Sequence, residues 1–423
     1  MVLDREDVMK SPRLIAVIIV TIVLGVAGRA DAQLKISDTE TAKLYMSLAT
    51  VGTAQALTQE NVYNASGQKI AGLSPGMQTA FGDLGFLGKF GKHSEIEMYF
   101  DLYLASRNHP SQTYGDQGYL LIRGIPENLG QPRLLKAIFS KVDFKAGAFL
   151  VDFGDQESHR SNNAIVQQNP LVGNFVIDPN FVSVGVQLQS KPARYGWLVA
   201  ATNGTNTEDF QSGRGNALNA KIYAYPIKPL RTSFSFYTVN HDQTPAGTAG
   251  SSATLFSGNR SGERYGAVLG GGQAPGGVLP QAGKDVRAGQ FDVTWDGASP
   301  IKLYGHIGQT MDKDTNGNAA GKPEESWRYY AADVVYRFTP AVYAAARYSA
   351  ANALKLGNVD SNGKVDRIQF GGGLWLTKNM LMKVEYVTQK YRGFAEGDMV
   401  NNGIQAWRNP SFKGVVSEVS FAF

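Results

Sequence analysis

From Lys43 to the terminal Phe423 the chain repeats one device, a segment of about ten residues in which apolar and polar side chains alternate. Successive residues of a strand point to opposite faces, so each segment has one greasy side and one wet side. Glu95 to Leu104 is the clearest case. Ile96, Met98, Phe100, Leu102 and Leu104 share one face, and Glu95, Glu97, Tyr99, Asp101 and Tyr103 share the other. A chain written this way folds as sheet, and its sheet separates two different surroundings.

Strands are expected at Lys43 to Val51, Ala80 to Phe90, Glu95 to Ala105, Arg133 to Val142, Lys145 to Phe153, Phe181 to Gln189, Arg194 to Thr202 and Ala217 to Tyr225. The second half adds Leu230 to Val239, Val286 to Trp295, Ile301 to Thr310, Trp327 to Phe338, Ala341 to Ser349, Arg367 to Leu376, Met380 to Gln389 and Phe412 to Phe423, about sixteen in all. Tight turns fall at Gly91-Lys92-His93, Asp143-Phe144, Lys191-Pro192, Pro226 to Pro229, Gly297 to Pro300, Thr339-Pro340 and Lys378-Asn379. They alternate with long polar loops at 52–79, 107–132, 154–180, 203–216, 240–285, 311–326, 350–366 and 390–411. Short turns on one rim and long loops on the other describe a transmembrane antiparallel β-barrel, with the short turns periplasmic and the long loops extracellular. The loop from Asn240 to Asp285, rich in Gly, Ser, Thr and Ala, reads as mobile and exposed.

Alternation alone is blind to which face is inside. Three further features point the apolar side outward. Leu14 to Val26 is an apolar run preceded by Lys10 and Arg13 and followed by Ala30-Asp31-Ala32, a secretory signal too short to span a bilayer. Asp4, Glu6 and Asp7 sit badly in a basic leader, which makes Met9 a candidate initiator. The last strand sets Val415, Ser417, Val419, Phe421 and Phe423 against Val416, Glu418, Ser420 and Ala422, and ends on an aromatic where chains ordinarily fray. Tyr225, Trp295, Tyr336 and Phe338 lie near strand ends, where interfacial girdles form. The expected organisation is a signal peptide over 1–32 and a barrel over 33–423. Its lipid face would include Val182, Val184, Val186, Leu188, Leu218, Ala220, Ile222, Ile301, Leu303, Ile307, Ile368, Phe370, Leu374 and Leu376.

Composition agrees. The chain has 48 Gly, 19 Tyr and 21 Phe but no Cys, which suits twisted sheet and excludes disulfides and thiolate chemistry. Its 41 basic and 36 acidic residues are dispersed, with no dense Lys/Arg block for nucleic acid. The five histidines, His93, His109, His159, His241 and His306, show no close metal-ligand pairing. No G-x-S-x-G motif marks a hydrolase. His159, flanked by Asp155, Glu157, Ser158 and Arg160, is the densest polar cluster and reads as pore lining or plain loop. Asp312-x-Asp314-x-Asn316-Gly317 copies the first half of a calcium loop, but Pro323 stands at the twelfth position, so an ordinary turn is expected. Gly371-Gly372-Gly373 lies inside a strand without a following helix, where small residues relieve crowding or permit a bend. No cofactor is called for, and no enzyme.

With these strands, turns and the terminal Phe423, the mature chain resembles a sixteen-stranded Gram-negative porin, with some likeness to the phosphate-selective group. The resemblance implies an outer-membrane location, outer-membrane lipid around the barrel, a homotrimer, and passive diffusion of small hydrophilic solutes or inorganic ions. The alternative is a plugged barrel with an adhesive, hydrolytic or structural role. In such porins the loop after the fifth strand narrows the lumen; here that stretch is Gly154 to Asn180, with Asp155, Glu157, His159, Arg160 and Asp178 as constriction candidates. Glu97, Asp101, Lys302, Arg337, Arg347, Arg367 and Lys383 are the corresponding candidates for the pore wall.

Overall fold

The computed structural model describes residues 33–77, 81–104, 114–127, 130, 132–161, 165–204, 215–241, 255–256, 265–270, 276–280, 285–313, 324–357, 359–400 and 403–423. The leader at 1–32 and most of the calcium-like stretch lie outside them. Sixteen antiparallel strands form one closed barrel. They are β1 Ala42–Glu60, β2 Phe81–Phe90, β3 Ile96–Tyr103, β4 Tyr114–Ile122, β5 Val142–Leu150, β6 Val182–Ser190, β7 Tyr195–Thr202 and β8 Gly215–Ile227. The remainder are β9 Leu230–His241, β10 Asp285–Asp296, β11 Ile301–Lys313, β12 Glu324–Arg337, β13 Val342–Leu356, β14 Lys364–Thr377, β15 Met380–Arg392 and β16 Ser411–Ala422.

Each strand pairs with its sequence neighbours, and β1 closes the ring on β16 in a register running from Ala49 opposite Ala422 to Glu60 opposite Ser411. Phe423 continues the seam, its N–H donating to the Leu48 carbonyl at 3.0 Å and its carbonyl accepting from the Leu48 N–H at 3.0 Å. Where β16 has ended, the short strand Leu34–Asp38 takes the same edge of β1, Leu34 opposite Met46 and Asp38 opposite Lys43. Closure leaves no strand edge in the band that the outer face presents, which is the condition for sheet to stand in lipid.

The apolar faces point out. Phe100 is 42% exposed and its neighbour Asp101 only 1%. Val186, Leu188, Leu218, Ile222, Ile301, Leu303, Ile307, Ile368 and Phe370 are exposed as well, while Ser183, Gln187, Asn219, Lys221, His306, Arg367 and Gln369 are buried on the inner face. A soluble barrel would reverse this pattern.

Two expectations about strands need correction. Arg133 to Val142 is not a strand: after Pro132 the chain turns into the helix α1, Arg133–Phe139. Leu134 and Leu135 are adjacent and Ile138 follows at helical spacing, so the period there is that of a helix, in residues that favour one. The missing strand is β4, inside the stretch 107–132 read as loop. Gly115 and Gly118 weaken its signal, yet they are what the packing needs, because the Phe100 ring lies over both, within 3.4 Å of where a Cβ would stand. One false strand and one missed strand leave the total at sixteen. It follows that Asp143-Phe144 is not a turn but lies within β5. Several strands also run further toward the long-loop rim than expected, β1 reaching Glu60 rather than Val51.

The loop between β9 and β10 also departs from expectation. Of its described residues only Ala267 and Gly270 are exposed, and Leu255, Phe256, Tyr265, Val268, Leu269 and 276–280 are buried. They pack with Val172, Val176 and Ile177 of the 154–180 loop and with Trp327, Val387 and Phe412 of the wall in one hydrophobic cluster inside the barrel. Gly, Ser and Thr made the stretch look solvated, whereas Tyr265, Val268, Leu269 and Val278 supply its anchors.

Candidate pore constriction

The chain leaves β5 at Leu150, and the following loop runs through the lumen, tied to both sides of the wall. Its first anchor is Asp155. Arg231 of β9 donates two hydrogen bonds to that carboxylate, both 2.9 Å, Ser233 donates a third at 2.8 Å, and the Lys221 ammonium of β8 lies 2.8 Å away. Lys221 also reaches Asp152 at 2.6 Å and the Gly154 carbonyl at 2.7 Å. Burial works against the charged form of Asp155, but Lys221 and Arg231 outweigh it and hold the carboxyl below its usual range. Gln156 accepts from Gln290 of β10 at 2.6 Å.

Midway, the His159 ring stacks on Tyr304 of β11 with centroids 4.3 Å apart. Arg160 and Asp178 pair within the loop at 2.9 Å, and Asn169 and Asn174 bond to Ser161, so the loop is braced by its own side chains.

Three wall cations hold the far side. Arg347 of β13 donates to Asp333 at 2.6 and 2.8 Å and also to the carbonyls of Gly173, at 2.9 Å, and His159, at 2.6 Å. Its guanidinium lies 4.0 Å above the Phe175 ring. Arg367 of β14 donates to Asn174 of this loop at 2.7 Å and to Gly276 of the β9–β10 loop at 2.6 Å. Lys383 of β15 meets Glu418 at 2.6 Å and donates to the carbonyls of Val166 and Leu171 at 2.8 and 3.0 Å. Between them Glu385 accepts from the N–H groups of Val172 and Gly173 at 2.6 and 3.0 Å and from the Tyr265 hydroxyl. Gln167 reaches the Asn379 carbonyl, on the short-turn rim, at 2.9 Å.

All five loop candidates are thus in the lumen, but only Glu157 among them is exposed. It stands on the side of the loop that faces β3–β9, where Lys145 of β5 feels the charges of Asp152, Glu157, Glu97 and Arg123. Lys145 and Tyr119 form a cation–π pair at 4.8 Å, and Arg231 and Tyr223 another at 4.7 Å. On the opposite side the lumen is packed: Arg347, Arg367 and Lys383 are essentially without solvent contact.

The other wall candidates scatter. Glu97, Lys302 and Arg337 lie at the short-turn ends of β3, β11 and β12, Glu97 paired with Arg123 at 3.3 Å and Lys302 with Asp296. Asp101 is buried, accepting from the Gln117 N–H at 2.6 Å and the Tyr99 hydroxyl at 3.3 Å. Asp312, the one described member of the calcium-like acids, is an inward, buried residue of β11. Asp333, Glu385, Arg231 and Lys145 carry no mark in the sequence; each is a polar residue on the wet side of an alternating strand, and only the loop distinguishes it from its neighbours.

No protein-family model matches the sequence, and no curated protein matches it. Solved structures do match in shape. The chain is similar to an anion-selective porin from Comamonas acidovorans, at 11% identity and a TM-score of 0.53, over 90% of this chain and 100% of that one. It is similar to OmpT, an outer membrane protein of Vibrio cholerae, at 9% identity and a TM-score of 0.55, over 92% and 99%. It is also similar to the outer membrane channel DcaP of Acinetobacter baumannii, at 12% identity and a TM-score of 0.52, over 94% and 100%. At such identities the likeness is one of fold, and the fold is the sixteen-stranded barrel of the outer-membrane porins.

Proposed function

We propose that this protein is a bacterial outer-membrane porin that lets small hydrophilic solutes or ions diffuse passively through a pore narrowed by the loop 154–180. The observation that carries the reading is the seating of that loop. Backbone carbonyls from Val166 to Asn174 are held by Arg347, Arg367 and Lys383, so the segment stays across the lumen while Glu157 faces solvent on its other side. Width and wall charge then select what passes, with Asp155, Glu157, His159, Arg160 and Asp178 on the loop side. Glu97, Asp101, Lys302 and Arg337 belong to the wall; Arg347, Arg367 and Lys383 act through the loop they hold. The chemistry is not enzymatic. One of the similar structures, the OmpT of Vibrio cholerae, is described in a trimer form, which supports a homotrimer here.

A second reading is favoured by the infilling of the lumen by two loops: a plugged barrel that conducts nothing. Planar-bilayer recording separates them. The purified protein should give small, stepwise conductance, and a chain lacking Asn163 to Gln168 should give larger steps. If both insert normally and neither conducts, the barrel is plugged and the porin reading fails.

A further inference from the structure

The longest connection on the short-turn rim, between β4 and β5, carries α1. Leu134 is 72% exposed, Leu135 41% and Ile138 43%, and no residue of the helix is buried. Their spacing puts the three on one face, while Arg133 and Lys136, three apart, share another. The whole connection, 123–141, has Arg123, Arg133, Lys136 and Lys141 against one acid, Glu127. A helix that leaves its apolar face bare in water gains nothing from having one.

Its neighbours say what covers it. Two residues beyond α1, β5 begins, and there Phe144 lies in register between Ile122 of β4 and Leu188 of β6. Leu120 and Leu188 are exposed on the outer wall, so the apolar band ends where α1 starts. α1 thus adjoins the end of an outward apolar surface, where an exposed apolar face matches acyl chains and a basic face matches the phosphates at their edge.

We propose that α1 is an interfacial anchor in the periplasmic leaflet, with Leu134, Leu135 and Ile138 among the upper acyl chains and Arg133, Lys136 and Lys141 on the phosphates of anionic phospholipid. This rests on the outer-membrane barrel reading. The chain has no Cys, so a single introduced thiol can be labelled uniquely with an environment-sensitive fluorophore. Leu134→Cys reports on the helix, and Ile307→Cys, mid-strand on the outer face of β11, reports on the barrel. Both are reconstituted in phosphatidylcholine vesicles with or without equimolar phosphatidylglycerol.

Lipid carrying a nitroxide near the headgroup should quench the label at 134 more than lipid carrying it deep in the chain, with the order reversed at 307. Aqueous iodide should quench neither well. Phosphatidylglycerol should increase lipid quenching at 134, and Arg133→Glu with Lys136→Glu in the same background should remove at least half of that increase. A quenched 307 with a 134 label open to iodide puts the helix in water and overturns the proposal. A 134 label shielded from both quenchers puts it against another protein surface and overturns it equally. A persistent phosphatidylglycerol effect in the double variant overturns the assignment of the basic face. If the label at 307 is not reached by lipid, the barrel reading itself is wrong, an outcome distinct from the others.

Discussion

Arg347 shows how a charge read as pore lining becomes a strut. Removing a guanidinium from water costs several kcal/mol, and the cost is offset only where carboxylate and carbonyl acceptors surround it; here Asp333, Gly173 and His159 provide them. Arg347→Glu would set a second carboxylate against Asp333 and release the loop, a loss of about 3 to 5 kcal/mol for a broken buried pair. In a salt gradient the reversal potential should move toward cation preference, with larger conductance than the parent; normal insertion with both values unchanged would detach Arg347 from the pore. Asp155 makes the corresponding prediction for pH. Its carboxyl is held below the usual range, so the clamp on Arg231 and Lys221 is complete above the ordinary carboxylate pKa of about 4 and is lost only as pH falls through the depressed value. Channel noise from loop motion should therefore stay flat from neutral pH down to mild acid and rise below it, and Asp155→Asn should show the acid behaviour at neutral pH. A rise in the parent near neutrality would contradict this. In the sequence Arg347, Asp333, Arg231 and Lys221 look alike, as polar positions on wet strand faces; what separates them is which loop atom each one meets.

At the scale of the element, the alternating strands were legible because their period is written in every pair of residues. Phe100 and Asp101 on β3 express it most sharply, and Phe100→Lys should cost about 2 to 4 kcal/mol in folding titrations into vesicles, as a basic residue at mid-bilayer does. Asp101→Lys should cost less, since Asp83 and Asp116 stand near Asp101 and would meet the new cation. Equal losses, or the reverse order, would place the lipid on the other face. Two of the misread elements failed for a common reason, whereas α1 was a local helical period read as a strand. Gly115 and Gly118 in β4 look like turn residues, and they are strand residues because Phe100 needs the room. The β9–β10 loop looks solvated, and its few apolar residues are enough to seat its described parts against Trp327 and Phe412. In each case a contact distant in sequence outweighed the local composition.

For the whole molecule, closure depends on the seam between β1 and β16. Gly414 stands there with φ at +147°, and a Cβ would lie 2.2 Å from the Ala56 carbonyl oxygen. Gly52, on the same seam, has nothing within 4 Å of its would-be Cβ. Gly414→Ala should cost about 1 to 3 kcal/mol in backbone strain alone and lower the folded fraction seen as fast migration on unheated gels, whereas Gly52→Ala should fold like the parent. Similar behaviour of the two would mean that the seam tolerates separation. Gly371, where a Cβ would come within 2.1 Å of the Val384 carbonyl oxygen, bears out the expectation that the glycine run relieves crowding. The sequence by itself determined the barrel and fifteen of its sixteen strands, because period-two alternation and the long-short rhythm of connections are local and repeated many times. β4 escaped it, and the outward turn of the apolar faces was legible only from the leader, the terminal aromatic and the aromatic strand ends, since alternation is blind to it. Only the tertiary structure decided where the 154–180 loop and the described parts of the β9–β10 loop lie, which wall cations hold them and which side of the lumen stays open, because those outcomes rest on single contacts between residues up to about two hundred positions apart, for which no local pattern exists.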